Sequence, residues 1–344
     1  MTHGAAGRSP VMADVARIAG VSHQTVSRVL NHHPNVRPAT RDRVLAAIEE
    51  LGYRRNLSAR ALVTRRTNTL GVVAFDTTLY GPASTLFGLE QAARDAGYFI
   101  SIVSLKTINR KTVGEALDYL AAQAVDGLIA IAPQVEAAAA VSALQGNVPV
   151  VAVEGGEADG MPVVAVDQVH GAELATRHLL DLGHRTVWHV AGPVDWLEAE
   201  GRKRGWRATL EAAGVEIPPV VEGDWSPRSG YEAGLRIADD ARSGRASAIF
   251  VSNDQMALGL LRALHEAGVR VPQDVSIVGF DDIPEAEFLT PPLTTVRQDF
   301  AEVGRKSIAL LLDLIETGPR PETERIVVSP VLVARASTAP PAST

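Results

Sequence analysis

From Thr69 onward the chain alternates short, unbroken apolar runs with stretches of helical period, and that alternation restricts the fold more than any other feature. The runs "TLGVVAF" (69–75), "FISIV" (99–103), "GLIAIA" (127–132), "PVVAV" (149–153) and "VVAV" (163–166) are apolar at consecutive positions. Successive strand side chains point to opposite faces, so such runs need cover on both sides, as in a parallel sheet flanked by helices. The period predicts helices near 84–96, 110–124 and 134–145. A second series follows: "TVWHVAG" (186–192), "VVEGDW" (220–225), "AIFVSND" (248–254) and "VSIVGFDD" (275–282), with helices near 198–213, 228–243 and 255–267. Two such series in a chain of 344 residues predict a bilobal α/β body of two parallel-sheet subdomains.

Ahead of the body lies an all-α head. The segment "MADVARIA" (12–19) places Val15, Ile18 and Ala19 on one helical face. Gly20 suits a left-handed turn and Ser22 a helix N-cap, so a second helix starts at once, with Val26, Val29 and Leu30 inward. A third, "PATRDRVLAAIEELGY" (38–53), opens at Pro38, stops at Gly52 and directs Val44, Leu45, Ile48 and Leu51 to the core. Two short helices joined by so tight a turn form a helix-turn-helix, whose second helix enters the major groove. Gln24 and Arg28, one turn apart, suit bidentate pairing with adenine and guanine, and His23 sits beside them. Thr25, Ser27 and Asn31 are better placed for phosphates. The next stretch, "RRNLSARALVTRRTNT" (54–69), mixes arginine with Leu57, Ala61 and Leu62. It is too short to be a stable helix alone, but against DNA and a partner copy it could form one, with Leu62 an apolar wedge in the minor groove.

Charge supports this division. Residues 1–66 hold eleven arginines, no lysine and four acids, a formal +7, whereas the rest of the chain carries −14. A small basic head on a large acidic body implies that the head alone meets a polyanion. The chain has no cysteine, which excludes disulfides, thiolate zinc sites and cysteine nucleophiles. It has no GxSxG, HExxH or phosphate loop, and His178, His184 and His189 lack metal-ligand spacing, so neither catalysis nor a metal or other cofactor is expected. Trp188 and Trp206 fall within a strand and a helix and are read as packing. No apolar run reaches the ~20 residues of a membrane span. The start "MTHGAAGRSP" does not read as a secretory signal, so a cytoplasmic, nucleoid-associated protein is expected.

In sheets of this kind ligands sit at the carboxyl ends of the strands. Those ends carry Glu154, Trp225, Asn253 with Asp254, and Asp281 with Asp282. Carboxylate and amide groups grip adjacent hydroxyls while an indole face covers C–H bonds, a combination suited to a neutral polyhydroxylated molecule.

The head motif "DVARIAGVSHQTVSRVLN" and the body segments "AGPVDWLEAEGRKRGW", "EGDWSPRSG", "VSNDQMALGLLRAL", "VSIVGFDD" and "PPLTTVRQDF" resemble the LacI (lactose-repressor) family of bacterial transcription regulators over nearly the whole chain. The resemblance implies a body like a periplasmic sugar-binding protein, with three chain crossings. The expected parts are a disordered 1–10, the head at 11–54, a hinge helix and linker at 55–69, an N-subdomain of 70–167 plus 298–324, a C-subdomain of 168–297 plus 325–338, and a disordered 339–344. By the same resemblance Arg202, Asn253, Asp281 and Gln298 are hydroxyl partners, Trp225 and Phe300 stack on the sugar ring, and Leu79 with Pro82 forms an apolar wall. Leu62 takes the position of an intercalating leucine in the hinge helix. Glu154 stands where the family's type member has Asp, and Trp196 and Glu198 where it has small serines, which affects which sugar fits. The Pro-rich end "ARASTAPPAST" shows no leucine heptad, so a homodimer without further association is expected. The implied function is a repressor of a sugar-utilisation operon, bound to a pseudopalindromic double-stranded operator and released by a sugar, with a galactoside favoured. The alternatives are a regulator that uses a purine or other small molecule as corepressor, and a sugar-active enzyme or transport receptor with an appended head.

Overall fold

A computed structural model describes residues 10–30, 33–53, 66–105, 110–132, 134–142, 148–154, 161–318 and 324–342. Asn31 and the wedge candidate Leu62, with most of the expected hinge, lie outside the described residues. The chain divides into two compact units, residues 1–67 and 68–344.

In the first unit, helix α1 (Met12–Ala19) ends on Gly20 at φ 65°, a left-handed angle that glycine adopts without strain. Ser22 then caps α2 (His23–Leu30): its Oγ accepts the Thr25 N–H at 3.2 Å. Helix α3 (Pro38–Leu51) starts on its proline and ends on Gly52 at φ 59°. Val15, Ala16, Ala19, Val26, Val29, Val44, Ala47 and Tyr53 form the core. Two expected core residues face out instead: Ile18 is 38% exposed and Leu45 50%. The inward stripe of α1 runs through positions 15, 16 and 19, and that of α3 through 44 and 47, so Ala16 and Ala47 fill the places assigned to the larger residues.

The second unit holds two six-stranded sheets. Along the chain come β1 (Thr69–Phe75), α4 (Tyr80–Asp95), β2 (Phe99–Leu105), α5 (Arg110–Ala122), β3 (Gly127–Ile131), α6 (Val135–Ser142), β4 (Val150–Val153) and β5 (Val163–Val166). Then follow α7 (Gln168–Asp181), β6 (Trp188–Ala191), α8 (Leu197–Ala213), β7 (Val221–Glu222), α9 (Pro227–Arg242), β8 (Ala248–Val251), α10 (Asp254–Glu266) and β9 (Ser276–Asp281). The remainder is β10 (Thr294–Arg297), α11 (Phe300–Thr317), β11 (Arg325–Val328) and β12 (Val331–Val333). The first sheet, ordered β11-β5-β4-β3-β1-β2, is parallel throughout. The second, β12-β10-β9-β8-β6-β7, is parallel except for its antiparallel edge β12. Both faces of each sheet are covered. Leu70, Val72 and Ala74 of β1 pack into a core with α4 and α11, while Val73 and Phe75 pack opposite with α5. In the second sheet Ile249 and Val251 face α9 and α10, and Phe250 faces α7 and α8.

The chain passes between the sheets three times: after β5, after β10, and between β11 and β12. The first passage follows Val166 and the second follows Arg297. The third corrects the expected boundary. Residues 325–328 belong to the first sheet, because β11 pairs in register with β5 from Arg325 opposite Val163 to Val328 opposite Val166. The true break is the Ser329-Pro330 step, where proline cannot donate to a ladder. The tail is also corrected at its start: Ala339 donates its N–H to Ser276 Oγ at 3.0 Å, and its carbonyl accepts from His184 Nε2 at 3.0 Å. Helices α7 and α11 were not among those expected from the periodicity. Asp167 and Asp299 cap them by accepting the N–H groups of His170 and Glu302.

The packing readings agree with the structure. His189 is fully buried between the Trp206 and Phe250 rings, and burial depresses its pKa to about 3. Trp206 is buried with its Nε1–H on the Val187 carbonyl at 2.8 Å. Among the described residues no helix is long and apolar enough to cross a membrane, and no cluster of His, Asp or Glu suits a metal.

Candidate functional site

All ten side chains expected to meet the effector line one cleft. Leu79 and Pro82 come from the start of α4, Glu154 from the end of β4 and Phe300 from the start of α11, all in the first lobe. Trp196 and Arg202 come from the entry and second turn of α8, with Trp225 after β7, Asn253 after β8 and Asp281 ending β9. Gln298 sits on the second passage between the sheets. The carboxyl ends of the parallel strands thus converge on one place. Three of these residues turn sharply off their strands on left-handed backbone: Glu154 at φ 61°, Trp225 at 72° and Asp281 at 111°. Non-glycine residues adopt such angles at a cost of about 1–3 kcal/mol each, and they concentrate at ligand sites.

A buried guanidinium organises the cleft. Arg202 donates Nε–H to Gln168 Oε1 at 2.9 Å and Nη1–H to the Ser252 carbonyl, and its Nη2 lies 3.7 Å from Asp281 Oδ1. Its Cζ stands 3.9 Å from the centroid of the Phe280 ring and 5.4 Å from that of Trp225. Gln168 also donates Nε2–H to Gln298 Oε1 at 2.9 Å and to Glu154 Oε2 at 3.4 Å. Gln298 in turn donates to Asp281 Oδ1 at 2.6 Å. Asn253 caps α10 by accepting the Met256 N–H at 2.8 Å, and its amide donates to the Trp225 carbonyl at 3.1 Å. Two edge-to-face aromatic pairs, Trp196–Trp225 and Tyr80–Phe300, supply the apolar walls. Trp225 fits because residue 192 is glycine: a Cβ there would overlap its ring.

Burial decides the electrostatics. It raises Glu154 from its ordinary 4.5 to about 7, against the opposing hydrogen bonds from Val166 and Gln168 and the Arg202 charge. Asp281 rises from 3.8 to about 6 by burial, again opposed by Arg202 and then Gln298. Glu198 rises well above 4.5 through burial and then the Glu154 charge. Several carboxyls around one buried guanidinium cannot all be ionised cheaply, so protons share the site.

Gln168 was missed by the sequence reading. It bridges Glu154, Gln298 and Arg202, yet its only local mark is the position just after an N-cap aspartate. Tyr80, Thr85, Ile131, Glu198 and Gln255 also line the cleft.

In the first unit, His23, Gln24 and Arg28 are exposed on α2, Thr25 and Ser27 half-buried, and Val26 and Val29 buried. The recognition candidates therefore share the face opposite the core. The Thr25 hydroxyl lies 2.9 Å from Ser22 Oγ.

The pattern of the bacterial regulatory proteins, lacI family, matches residues 11–56, and that of the periplasmic binding protein-like domain matches residues 176–338. The HTH-type transcriptional regulator CelR of Thermobifida fusca is 36% identical over 345 residues, covering 96% of this chain and 98% of CelR. The chain belongs to the LacI family of bacterial transcription regulators. The ribose operon repressor of Escherichia coli K12 is 33% identical over 95% of this chain and 99% of that protein. A crystal structure of the lac repressor dimer bound to operator and the anti-inducer ONPF matches with a TM-score of 0.84 at 33% identity, covering 96% of this chain and all of that one. This LacI-family chain is thus a DNA-binding transcriptional repressor regulated by a small-molecule effector, and these relatives are transcriptional regulators.

Proposed function

We propose that this regulator represses a sugar-utilisation operon and that a sugar bound in the cleft releases it from a pseudopalindromic operator. The observation that carries the reading is the cleft's chemistry: Arg202, Asp281, Asn253 and Gln298 offer hydroxyl-pairing groups in the same cleft as the aromatic rings of Trp225 and Phe300. Guanidinium, carboxylate and amide groups pair with neighbouring hydroxyls, and flat rings cover the apolar side of a pyranose. A homodimer would place two copies of α2 on the half-sites, with Gln24 and Arg28 at base edges and His23, Thr25 and Ser27 beside them. Because the cleft is walled by both lobes, a ligand there changes their relative placement. De-repression requires that the sugar prefer the form that does not bind DNA.

A galactoside is the first effector to test, on the resemblance of the cleft positions to the family's type member; the ribose operon repressor among the relatives puts a pentose beside it. Thermal unfolding against galactosides, glucosides, pentoses and purines separates the readings, since a ligand of the native state raises the midpoint with its saturation. The expected result is a shift with one sugar class that Arg202→Ala abolishes. A shift with purines alone would overturn the sugar reading in favour of corepression.

A further inference from the structure

Many polar atoms of the cleft are engaged with one another, but two fully buried ones are not. Glu198 Oε2 and the Trp225 indole N–H are buried and have no hydrogen-bond partner among the described residues. Their side chains are 9% and 6% exposed, and both line the cleft. Glu198 lies one turn before Arg202 on α8, which brings the two to the same face of that helix. The Arg202 guanidinium in turn lies against the Trp225 ring. Glu198 and Trp225 thus both line the cleft around Arg202, a group already assigned to sugar hydroxyls.

A buried polar atom left unpaired forfeits the hydrogen bond it made to water, so folded proteins rarely retain one without a use. We propose that Glu198 determines effector specificity: with the Trp225 N–H it forms a hydroxyl-binding corner that a sugar must fill with its own hydroxyl. A site built this way rejects analogues lacking that hydroxyl, because binding them leaves the buried groups unpaired. Burial and the nearby Glu154 favour the neutral acid form of Glu198, which both donates and accepts. The inference rests on the sugar reading given above.

The test is calorimetric titration of the full chain with methyl β-D-galactoside, methyl β-D-glucoside, cellobiose and ribose, then with the monodeoxy analogues of whichever sugar binds. In the parent protein one deoxy analogue is expected to bind at least about tenfold more weakly than its fully hydroxylated sugar. In Glu198→Ala the fully hydroxylated sugar weakens by a similar factor, and the deficit of that analogue disappears. Glu198→Gln, which keeps the shape with a donor and an acceptor, retains binding within a few-fold of the parent and checks against loss of fold. If sugars bind but every deoxy analogue keeps its parental deficit in Glu198→Ala, the assignment of Glu198 is wrong while the sugar reading stands. If none of the four sugars binds the parent, the sugar reading fails and this inference with it.

Discussion

Arg28 and Gln24 stand exposed one turn apart on α2, with Val26 and Val29 of the same helix holding it to the core. Arg28 is exposed, so on the proposed reading the effect of replacing it with alanine falls on DNA binding and not on the core. Arg28→Ala is expected to weaken operator binding by about 1–3 kcal/mol, with the loss concentrated at one base pair per half-site, in mobility-shift titrations of single-base operator variants. Wild-type affinity in that assay would show that α2 is not the reading element. Inside the body, Glu154 makes stability depend on pH. Its folded pKa of about 7 lies above its ordinary 4.5, so the native state binds more protons between those values. Its contribution is fully present below pH 4.5 and is lost as pH rises through about 7. Denaturant melts should show Glu154→Gln gaining on the parent by about 3 kcal/mol across that window. A constant difference would show that Glu154 ionises without hindrance. Arg28 and Glu154 were both legible from sequence, one from helical spacing and one from its place at a strand end. Gln168 was not, because nothing local marks a residue whose three partners lie 14, 34 and 130 positions away.

At the scale of elements, the turn between α1 and α2 rests on two residues. Gly20 supplies the left-handed angle, and the Ser22 hydroxyl accepts the Thr25 N–H at 3.2 Å beside that group's 2.9 Å bond to the Ser22 carbonyl. Ser22→Ala should destabilise the head by about 1 kcal/mol, seen as a lower midpoint of its helical circular-dichroism signal with the body transition unmoved. An unchanged head midpoint would mean that the cap is dispensable. Strands β1 to β9 and most of the helices between them were readable because continuous apolar runs and helical stripes are local patterns, whereas β10, β11 and β12 were not among the expected strands. Helices α7 and α11 escaped that reading although Asp167 and Asp299 announce them as caps. The placement of β11 failed for a different reason. "RIVV" and "VLV" look alike as apolar runs, and only pairing with β5 on one side and β10 on the other sends them to different sheets.

At the scale of the whole molecule, the proposed release mechanism makes a reciprocal claim. If the effector lowers operator affinity by some factor, saturating operator DNA must lower effector affinity by the same factor. Calorimetric titration with the sugar, with and without operator, checks this; equal affinities would show that the bound sugar does not act by release. The division of charge was evident in the composition of the head and body, since arginine enrichment needs no coordinates to be counted. The sequence by itself determined the helix-turn-helix, the two-lobed α/β body and the strand ends that bear the site, because capping, periodicity and strand-end position are local properties. Only the tertiary structure decided which sheet takes β11, that Gln168 ties Arg202 to Glu154 and Gln298, and that Glu198 Oε2 and the Trp225 N–H are buried with no hydrogen-bond partner among the described residues. Those features come from segments far apart in the chain, and burial and hydrogen-bond pairing are set only once they pack together.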